Sequence, residues 1–267
     1  MIKICKRDEP KILADNKAQW TADLLNLVKK YGSYSVIPKK EKETAIKNYA
    51  HPDVVSALKG ETGKAKCIYC ESYVDVTCYA NIEHFHPKSI CPSEAFEWDN
   101  LFIGCSVCNT PKNNFDTSKE AFVHPVKDNP EDYLTFEDLV YIPKAKTGIA
   151  FQKARNVIEK CNLERIPLAR KHAEILLTFM STKEALVKKI DNYLRRRTDD
   201  SKRLQDAVDI LTSLNTLSQE ASDDAEYAGY MRYLLRKFTV IKEAVDIINI
   251  HKDDIGLPDG FKWSFIF

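Results

Sequence analysis

Two Cys-x-x-Cys pairs constrain this chain more than any other feature of its sequence. Cys67 and Cys70 form the first pair, Cys105 and Cys108 form the second, and residues 71–104 lie between them. Because a Cys-x-x-Cys turn lets both of its sulfurs reach one ion, two such pairs match a tetrahedral structural zinc site. We therefore predict that these four cysteines bind a structural zinc ion.

Paired cysteines also occur as disulfides in secreted proteins, as thioredoxin-like redox centres, and by chance. The first ten residues, MIKICKRDEP, are polar and charged, so they do not resemble a signal peptide. No apolar run approaches the roughly 18–20 residues of a membrane span. We expect a cytoplasmic protein without membrane attachment, where reducing conditions favour metal binding over disulfides. Cys78 and Cys91 remain alternative ligands, whereas Cys5 and Cys161 are interpreted as ordinary thiols.

The charge is unevenly distributed along the 267 residues, although the formal net charge is only +1. Residues 1–60 contain 12 Lys and Arg against 7 Asp and Glu, while residues 61–127 contain 6 against 9. The region that holds the cysteines is therefore acidic. If a polyanion binds, it must be held mainly by the parts of the chain around this region.

Helical periodicity marks the region before the cysteines. Apolar residues recur at helical spacing from Trp20 to Tyr31 and stop at Gly32, which predicts a helix that ends at a left-handed glycine. A second helical pattern runs over residues 40–59, with an interruption near Pro52 and an end at Gly60. These patterns predict an N-terminal helical region.

From residue 66 to residue 127 the periodicity disappears, and prolines and asparagines accumulate. The segment NPEDYLTFEDLVYIP then predicts a short strand or turn region that ends at Pro143. Helical stripes follow over residues 154–161, 168–194, 204–214 and 227–248, the last with Ser222 as its predicted cap. We predict an N-terminal helical region (1–65), a cysteine-containing module (66–127) and a C-terminal helical region (128–267) with a partner-binding or DNA-binding role.

The segments between and after the cysteine pairs carry further polar motifs. NIEHFHPKS covers residues 81–89, EWDNLFIGC covers residues 97–105, and CSVCNTPK covers residues 105–112. This order resembles the HNH endonucleases of the ββα-metal type, in the subgroup whose module is held by four zinc-binding cysteines. The resemblance implies an α+β fold that is mostly helical, with a small ββα-metal module embedded between two helical regions.

The resemblance also implies roles for five residues of this sequence. Glu83 occupies the position of the first ligand of a catalytic divalent ion, where Asp is more usual, and Asn109 occupies that of the second ligand. His84 matches the general base, Asn100 matches the asparagine that braces the loop, and Lys112 fits a phosphate contact.

The chemistry of these residue types agrees with phosphodiester hydrolysis. A carboxylate and an amide oxygen are hard ligands that suit Mg²⁺ or Mn²⁺. The amide of Asn109, where the family often has His, lowers the affinity for zinc and nickel. A neutral imidazole with a pKa near its ordinary value of about 6.5 can take a proton from water at physiological pH. The longer side chain of Glu83 requires a small backbone adjustment to reach the ion.

Two further histidines and one basic segment are secondary candidates. His86 is interpreted mainly as a solvent-facing or DNA-facing residue, with metal binding as the alternative. His124 is interpreted mainly as a structural histidine of a turn, with phosphate contact as the alternative. The segment Lys183–Arg203 holds 8 basic against 4 acidic residues. It is interpreted as a solvated helix face, with binding to the DNA backbone as the alternative.

The wider sequence, from MIKICKRDEP through HPVKDNPEDYL to CNLERIPLAR, is similar to the PtuB-type HNH proteins, the nuclease subunits of Septu anti-phage systems that also accompany some retrons. This resemblance implies a DNA substrate and a PtuA-type ATPase partner. The alternative function is a non-catalytic zinc treble-clef module that binds nucleic acid or protein. A stand-alone homing or restriction enzyme would need its own sequence-reading element, and the sequence shows neither a helix-turn-helix nor a second finger.

Overall fold

The structure is a computed structural model that describes residues 1–60, 65–74, 80–196, 199–258 and 263. The chain divides into two units. The N-terminal unit comprises Met1–Glu137 and Tyr141–Arg165, and the C-terminal unit comprises Asp138–Val140 and Ile166–Phe267. Each unit is built mainly of helices, and the described residues also form two small antiparallel sheets.

The N-terminal unit begins with three helices, α1 (Lys11–Tyr31), α2 (Lys39–Ile46) and α3 (Pro52–Lys59). Gly32 follows α1 with φ 85°, a left-handed conformation that glycine adopts without a steric penalty, so the predicted end of this helix is confirmed. Pro52 is the first residue of α3, where its missing N–H costs nothing. The predicted interruption at this proline is therefore also confirmed.

Two strands and a helix follow in the cysteine-containing region. Strand β1 (Ala80–His84) pairs antiparallel with β2 (Leu101–Cys105), with His84 opposite Leu101. Every residue of β2 is buried, as expected from its apolar sequence LFIGC. Helix α4 (Ser106–Lys112) begins directly after β2. The end of β1 and the start of α4 are thereby fixed by the same short sheet.

The helices before the cysteines and the segment between the two strands share one hydrophobic core. Buried residues of both parts form this core: Leu13, Leu24, Tyr34, Ile37, Val54, Ala95, Phe96, Trp98 and Leu101. The predicted boundaries after residues 65 and 127 both lie inside the N-terminal unit. Periodicity alone marks where the local pattern changes, but it does not show which segments bury their apolar side chains together.

The chain continues with a one-turn helix, a hairpin and a longer helix. These are α5 (Pro130–Tyr133), β3 (Leu134–Glu137), β4 (Val140–Pro143) and α6 (Gly148–Lys160). The predicted strand and turn region that ends at Pro143 is therefore confirmed. Helix α6 buries Ala154, Val157 and Ile158, which belong to its predicted apolar stripe.

Four α-helices form within the described residues of the C-terminal unit. They are α7 (Ile166–Arg195), α8 (Asp200–Glu220), α9 (Ala228–Lys237) and α10 (Thr239–Ile250). The stripes predicted over residues 168–194 and 204–214 lie in α7 and α8. The side chain of Asp199 caps α8 by accepting a hydrogen bond from the Lys202 N–H at 3.1 Å.

The apolar stripe over residues 227–248 belongs to two helices, so the prediction of one helix with a Ser222 cap was wrong. Phe238 separates α9 from α10 with an extended backbone, φ −101° and ψ 116°. Its ring packs against Phe179 of α7 at a centroid distance of 5.3 Å. The break coincides with a tertiary contact, and neither glycine nor proline marks it in the sequence.

The basic segment Lys183–Arg203 lies across α7 and the start of α8. Arg196 forms an ion pair with Asp206 at 2.9 Å, and Lys202 forms one with Asp199 at 2.9 Å. These ion pairs agree with its interpretation as a solvated helix face, while contact with DNA stays a prediction. None of the helices within the described ranges combines the length and the apolar character needed to cross a membrane.

Candidate functional site

The four cysteines of the two Cys-x-x-Cys pairs form a buried cluster in the N-terminal unit. The sulfur atoms of Cys67, Cys70, Cys105 and Cys108 all lie within 4.8 Å of one another. The Cys70 and Cys105 sulfurs are 3.8 Å apart. A tetrahedral zinc ion with Zn–S bonds of about 2.3 Å places its sulfur ligands about 3.8 Å apart. The predicted four-cysteine cluster is confirmed, and its donor set and spacing could bind zinc.

Backbone geometry brings the two pairs together. The first pair lies in a turn in which Glu71 N–H donates to the Cys67 carbonyl at 2.9 Å. Ile68 N–H donates to the Ile103 carbonyl at 3.0 Å, which attaches this turn to β2. In the second pair, Cys105 ends β2 and Cys108 lies in α4. The cluster thus connects the first turn to the junction between β2 and α4.

The side chains of Ser72 and Arg165 contact sulfur atoms of the cluster. The hydroxyl oxygen of Ser72 lies 3.2 Å from the Cys70 sulfur, and the Arg165 guanidinium donates to the Cys108 sulfur at 3.6 Å. Four thiolates around one zinc ion carry a net negative charge, which a guanidinium offsets. No sequence pattern predicted a role for Arg165, because it lies far from the cysteines in the chain.

Cys91, one of the two alternative ligands between the pairs, is not part of this cluster. Cys91 is half-buried and is free of any disulfide. Cys78, the second alternative ligand, lies outside the described residues.

Glu83, His84 and Asn109 line one open pocket with a volume of about 340 Å³. Glu83 and His84 are the last two residues of β1, and Asn109 lies in the middle of α4. The antiparallel pairing of β1 with β2, followed at once by α4, positions the three side chains around this space. The structure therefore brings together the predicted base and both predicted ligands of the divalent ion.

Gly104 of β2 permits the close approach of Glu83 and Asn109. A Cβ atom at this position would lie 3.2 Å from Glu83 Cβ and 3.8 Å from Asn109 Cβ. Both side chains therefore begin within 4 Å of the same point. Glycine leaves room for the two side chains, which any larger residue would push apart.

We expect that Gly104→Ala lowers the free energy of unfolding by about 1–3 kcal/mol, because the added methyl group crowds Glu83. Urea unfolding of the purified variant and its parent measures this difference. Ala95→Gly serves as a comparison, because it removes a methyl group from a buried position of the same unit. It should also lower the stability, but through lost packing and not through crowding. An unchanged unfolding midpoint for Gly104→Ala would contradict the close approach of Glu83 to this strand.

The Glu83 carboxylate is buried and held by two donors. Its Oε1 atom accepts a hydrogen bond from the Tyr69 hydroxyl at 3.0 Å and lies 2.5 Å from the Lys112 Nζ. Burial raises the pKa of Glu83, while the charge and hydrogen bond of Lys112 act in the opposite direction. Both donors contact Oε1, so Oε2 is the oxygen that remains for a cation.

Lys112 does not line the pocket, although the sequence suggested that it contacts phosphate. Its side chain is completely buried and forms the ion pair with Glu83. The ammonium also donates hydrogen bonds to the His84 carbonyl at 3.2 Å and the Phe85 carbonyl at 3.0 Å. In this structure Lys112 fixes the end of β1 and orients Glu83.

The hydrogen bonding of His84 determines which ring nitrogen carries the proton. Nε2 lies 3.0 Å from the Ala95 carbonyl oxygen, which can only accept, so Nε2 carries the hydrogen. Nδ1 therefore keeps its lone pair, and it has no hydrogen-bond partner among the described residues. The Tyr49 ring packs edge-on against the imidazole at a centroid distance of 4.7 Å.

Burial lowers the pKa of His84 to about 3, well below the ordinary value assumed from the sequence. The ring is therefore neutral at physiological pH. A neutral ring with a free lone pair at Nδ1 is in the protonation state that a general base requires.

The Asn100 side chain forms hydrogen bonds with both the N–H and the carbonyl of His86. Its Oδ1 accepts from the His86 N–H at 2.7 Å, and its Nδ2 donates to the His86 carbonyl at 3.0 Å. Nδ2 also donates to the Glu94 carbonyl at 2.9 Å. Asn100 is buried and fixes the loop that follows β1.

The two secondary histidines do not line the pocket. His86 is half-buried, and its Nδ1 lies 2.9 Å from the Thr117 hydroxyl. His124 accepts hydrogen bonds at Nδ1 from the N–H groups of Val126 and Lys127, at 3.1 and 3.2 Å. These contacts make His124 part of a turn.

Comparisons with known proteins identify two similar proteins, both named Septu protein PtuB. The one from Bacillus mycoides (strain KBAB4) is 26% identical over 308 residues, which cover 100% of this chain and 99% of that protein. The one from Bacillus thuringiensis is 36% identical over 75 residues, which cover 28% of this chain and only 29% of that protein. No protein-family model matches the chain.

Proposed function

We propose that this chain is a metal-dependent DNA endonuclease of the HNH type that acts in anti-phage defence. The observation that supports this proposal most directly is the convergence of Glu83, His84 and Asn109 on one pocket. A purely structural zinc module needs only its four sulfur ligands. The carboxylate, the unprotonated ring nitrogen and the amide are additional groups suited to hydrolysis.

Glu83 and Asn109 would hold Mg²⁺ or Mn²⁺ in this pocket. Their oxygen donors fit such an ion, which typically binds one or two protein side chains and keeps several waters. When bound, the ion would polarise the phosphate and stabilise the leaving oxygen. The Tyr69 and Lys112 contacts at Oε1 hold the Glu83 carboxylate in a fixed orientation.

His84 would act as the general base. The Ala95 carbonyl holds Nε2–H, so Nδ1 is the atom that accepts a proton from water. The burial that lowers the pKa of His84 also keeps the ring neutral. A phosphodiester anion in the pocket would raise this pKa, because a nearby negative charge favours the imidazolium form.

The context in anti-phage defence is supported by the similarity to the two proteins named Septu protein PtuB. Under this proposal the chain pairs with a PtuA-type ATPase and cuts DNA. The net negative charge of residues 61–127 is consistent with a nuclease that relies on another subunit for targeting.

Asn109→Ala and Asn109→Asp test the ligand role of the amide. Alanine removes the oxygen donor, so we expect cleavage at limiting Mg²⁺ to slow by about 100-fold or more, whereas Asp retains a hard oxygen ligand. The measurement is plasmid cleavage by the chain co-purified with its ATPase partner, with Mg²⁺, Mn²⁺ or EDTA.

Cleavage that persists in EDTA, or Asn109→Ala that needs no more Mg²⁺ than wild type, would contradict the proposed divalent-ion site. DNA binding without cleavage by the wild-type complex under all metal conditions would favour the non-catalytic zinc module instead.

A further inference from the structure

Lys88 lines the pocket of Glu83, His84 and Asn109. Lys88 lies in the loop after β1, and its side chain is half-buried. Its ammonium lies 5.4 Å from the centroid of the Tyr49 ring. Within the described part of the chain, it forms no ion pair with a carboxylate.

The surroundings of Lys88 are those of a cation that lacks a partner. Burial lowers the pKa of Lys88, while the charge of Glu83 raises it and that of Lys112 lowers it further. A partly buried charge without a counter-ion costs stability. Such a group is well suited to an anion that binds from solution, because the anion supplies the missing partner.

Lys88 differs from Lys112 in the property that a substrate contact requires, which is access to the pocket. The Lys112 ammonium is paired with Glu83 and bonded to two carbonyl oxygens, and its side chain has no exposed surface. Lys88 lines the open space directly. Of these two lysines, Lys88 is therefore the one whose charge is available to a ligand in the pocket.

Further polar groups line the same pocket. Lys42 of α2 lines the pocket, and its ammonium donates to the Ser35 carbonyl at 3.3 Å. The side chains of Asn113 and Asn114 line it at the end of α4. Two cations and two amides around a solvent-open pocket provide the donors that phosphate oxygens accept.

We propose that Lys88 binds a non-bridging oxygen of the phosphodiester that enters this pocket, the contact that the sequence suggested for Lys112. This inference rests on the proposed nuclease function, because it takes DNA as the ligand. Lys88 would neutralise one phosphate charge beside His84, and Lys112 would keep its structural role at Glu83.

The test measures binding of a short labelled DNA duplex to the full-length chain by fluorescence anisotropy, with Ca²⁺ in place of Mg²⁺ and over a series of salt concentrations. The variants are Lys88→Met, Lys88→Arg and, as the matched control, Lys40→Met. Lys40 is an exposed lysine of α2 that does not line the pocket.

We expect Lys88→Met to weaken binding about tenfold and to reduce the salt slope by about 0.9, the amount for one phosphate contact. Lys88→Arg should retain most of the affinity, and Lys40→Met should match wild type. The melting temperature of Lys88→Met should be equal to or higher than that of wild type, because the change removes an uncompensated charge.

Lys88→Met with wild-type affinity and salt slope would overturn the inference, and so would a loss of affinity that accompanies a lower melting temperature and lost zinc. Plasmid cleavage separates this inference from the proposed function. If the wild-type chain cleaves DNA and Lys88→Met binds DNA as wild type does, the nuclease proposal stands and the role of Lys88 is refuted. If Lys88→Met weakens binding but the wild-type chain does not cleave DNA, the role of Lys88 stands and the nuclease proposal is refuted.

Discussion

His84→Ala should slow DNA cleavage by about 10²- to 10⁴-fold, the usual contribution of a general base. The imidazole Nδ1 is the only atom of this ring left to accept a proton, since Nε2–H is held by the Ala95 carbonyl. Alanine removes this acceptor and also the edge contact with Tyr49. We therefore expect a small loss of stability, but a folded chain that keeps the zinc ion predicted at the four cysteines.

The rate is best measured under single-turnover conditions on plasmid DNA, with zinc content and melting temperature recorded for the same preparation. His251→Ala is the matched control, because it removes an imidazole from the C-terminal unit, where no role in cleavage is proposed. If His84→Ala cleaves at a rate comparable to wild type, His84 is not the base.

Cys67→Ser should remove zinc from the chain and unfold much of the N-terminal unit. Structural zinc sites supply about 10–16 kcal/mol of binding free energy in small peptides, which is comparable to the entire stability of an ordinary domain. The cluster connects the first cysteine turn to β2 and α4, so its loss releases the elements that position the pocket.

Zinc analysis by mass spectrometry, circular dichroism and thermal melting measure these effects together. Cys5→Ser is the matched control, because Cys5 is an exposed free thiol outside the cluster. A Cys67→Ser chain with the zinc content and melting temperature of wild type would exclude a structural zinc ion at these cysteines. Wild-type protein that is fully folded without zinc would do so as well.

The cysteine cluster was predictable from sequence because its geometry is largely local. A Cys-x-x-Cys turn sets the distance between its two sulfurs, so only the meeting of the two turns depended on the fold. The ends of α1 and α3 were predictable for the same reason, since Gly32 and Gly60 act on their own backbone. Features determined within a few residues are visible in the sequence.

The contacts of Lys112 and Arg165 depend on distant parts of the chain, and the sequence did not reveal them. Lys112 lies on α4 as expected, but only the packing of α4 on β1 turns its ammonium toward Glu83. Arg165 reaches Cys108 across a separation of 57 residues in the chain. Likewise, α9 ends before Phe238, although neither glycine nor proline stands at this point in the sequence.

The order of the cysteines along the chain has a consequence for the timing of biosynthesis. Glu83 and His84 lie between the two cysteine pairs, and Asn109 directly follows the last cysteine of the second pair. The segment between the two cysteine pairs cannot close into a loop until the second pair has been synthesised, because loop closure costs entropy that binding of the ion must offset. We expect that a polypeptide still on the ribosome cannot assemble the proposed site before Cys108 has emerged.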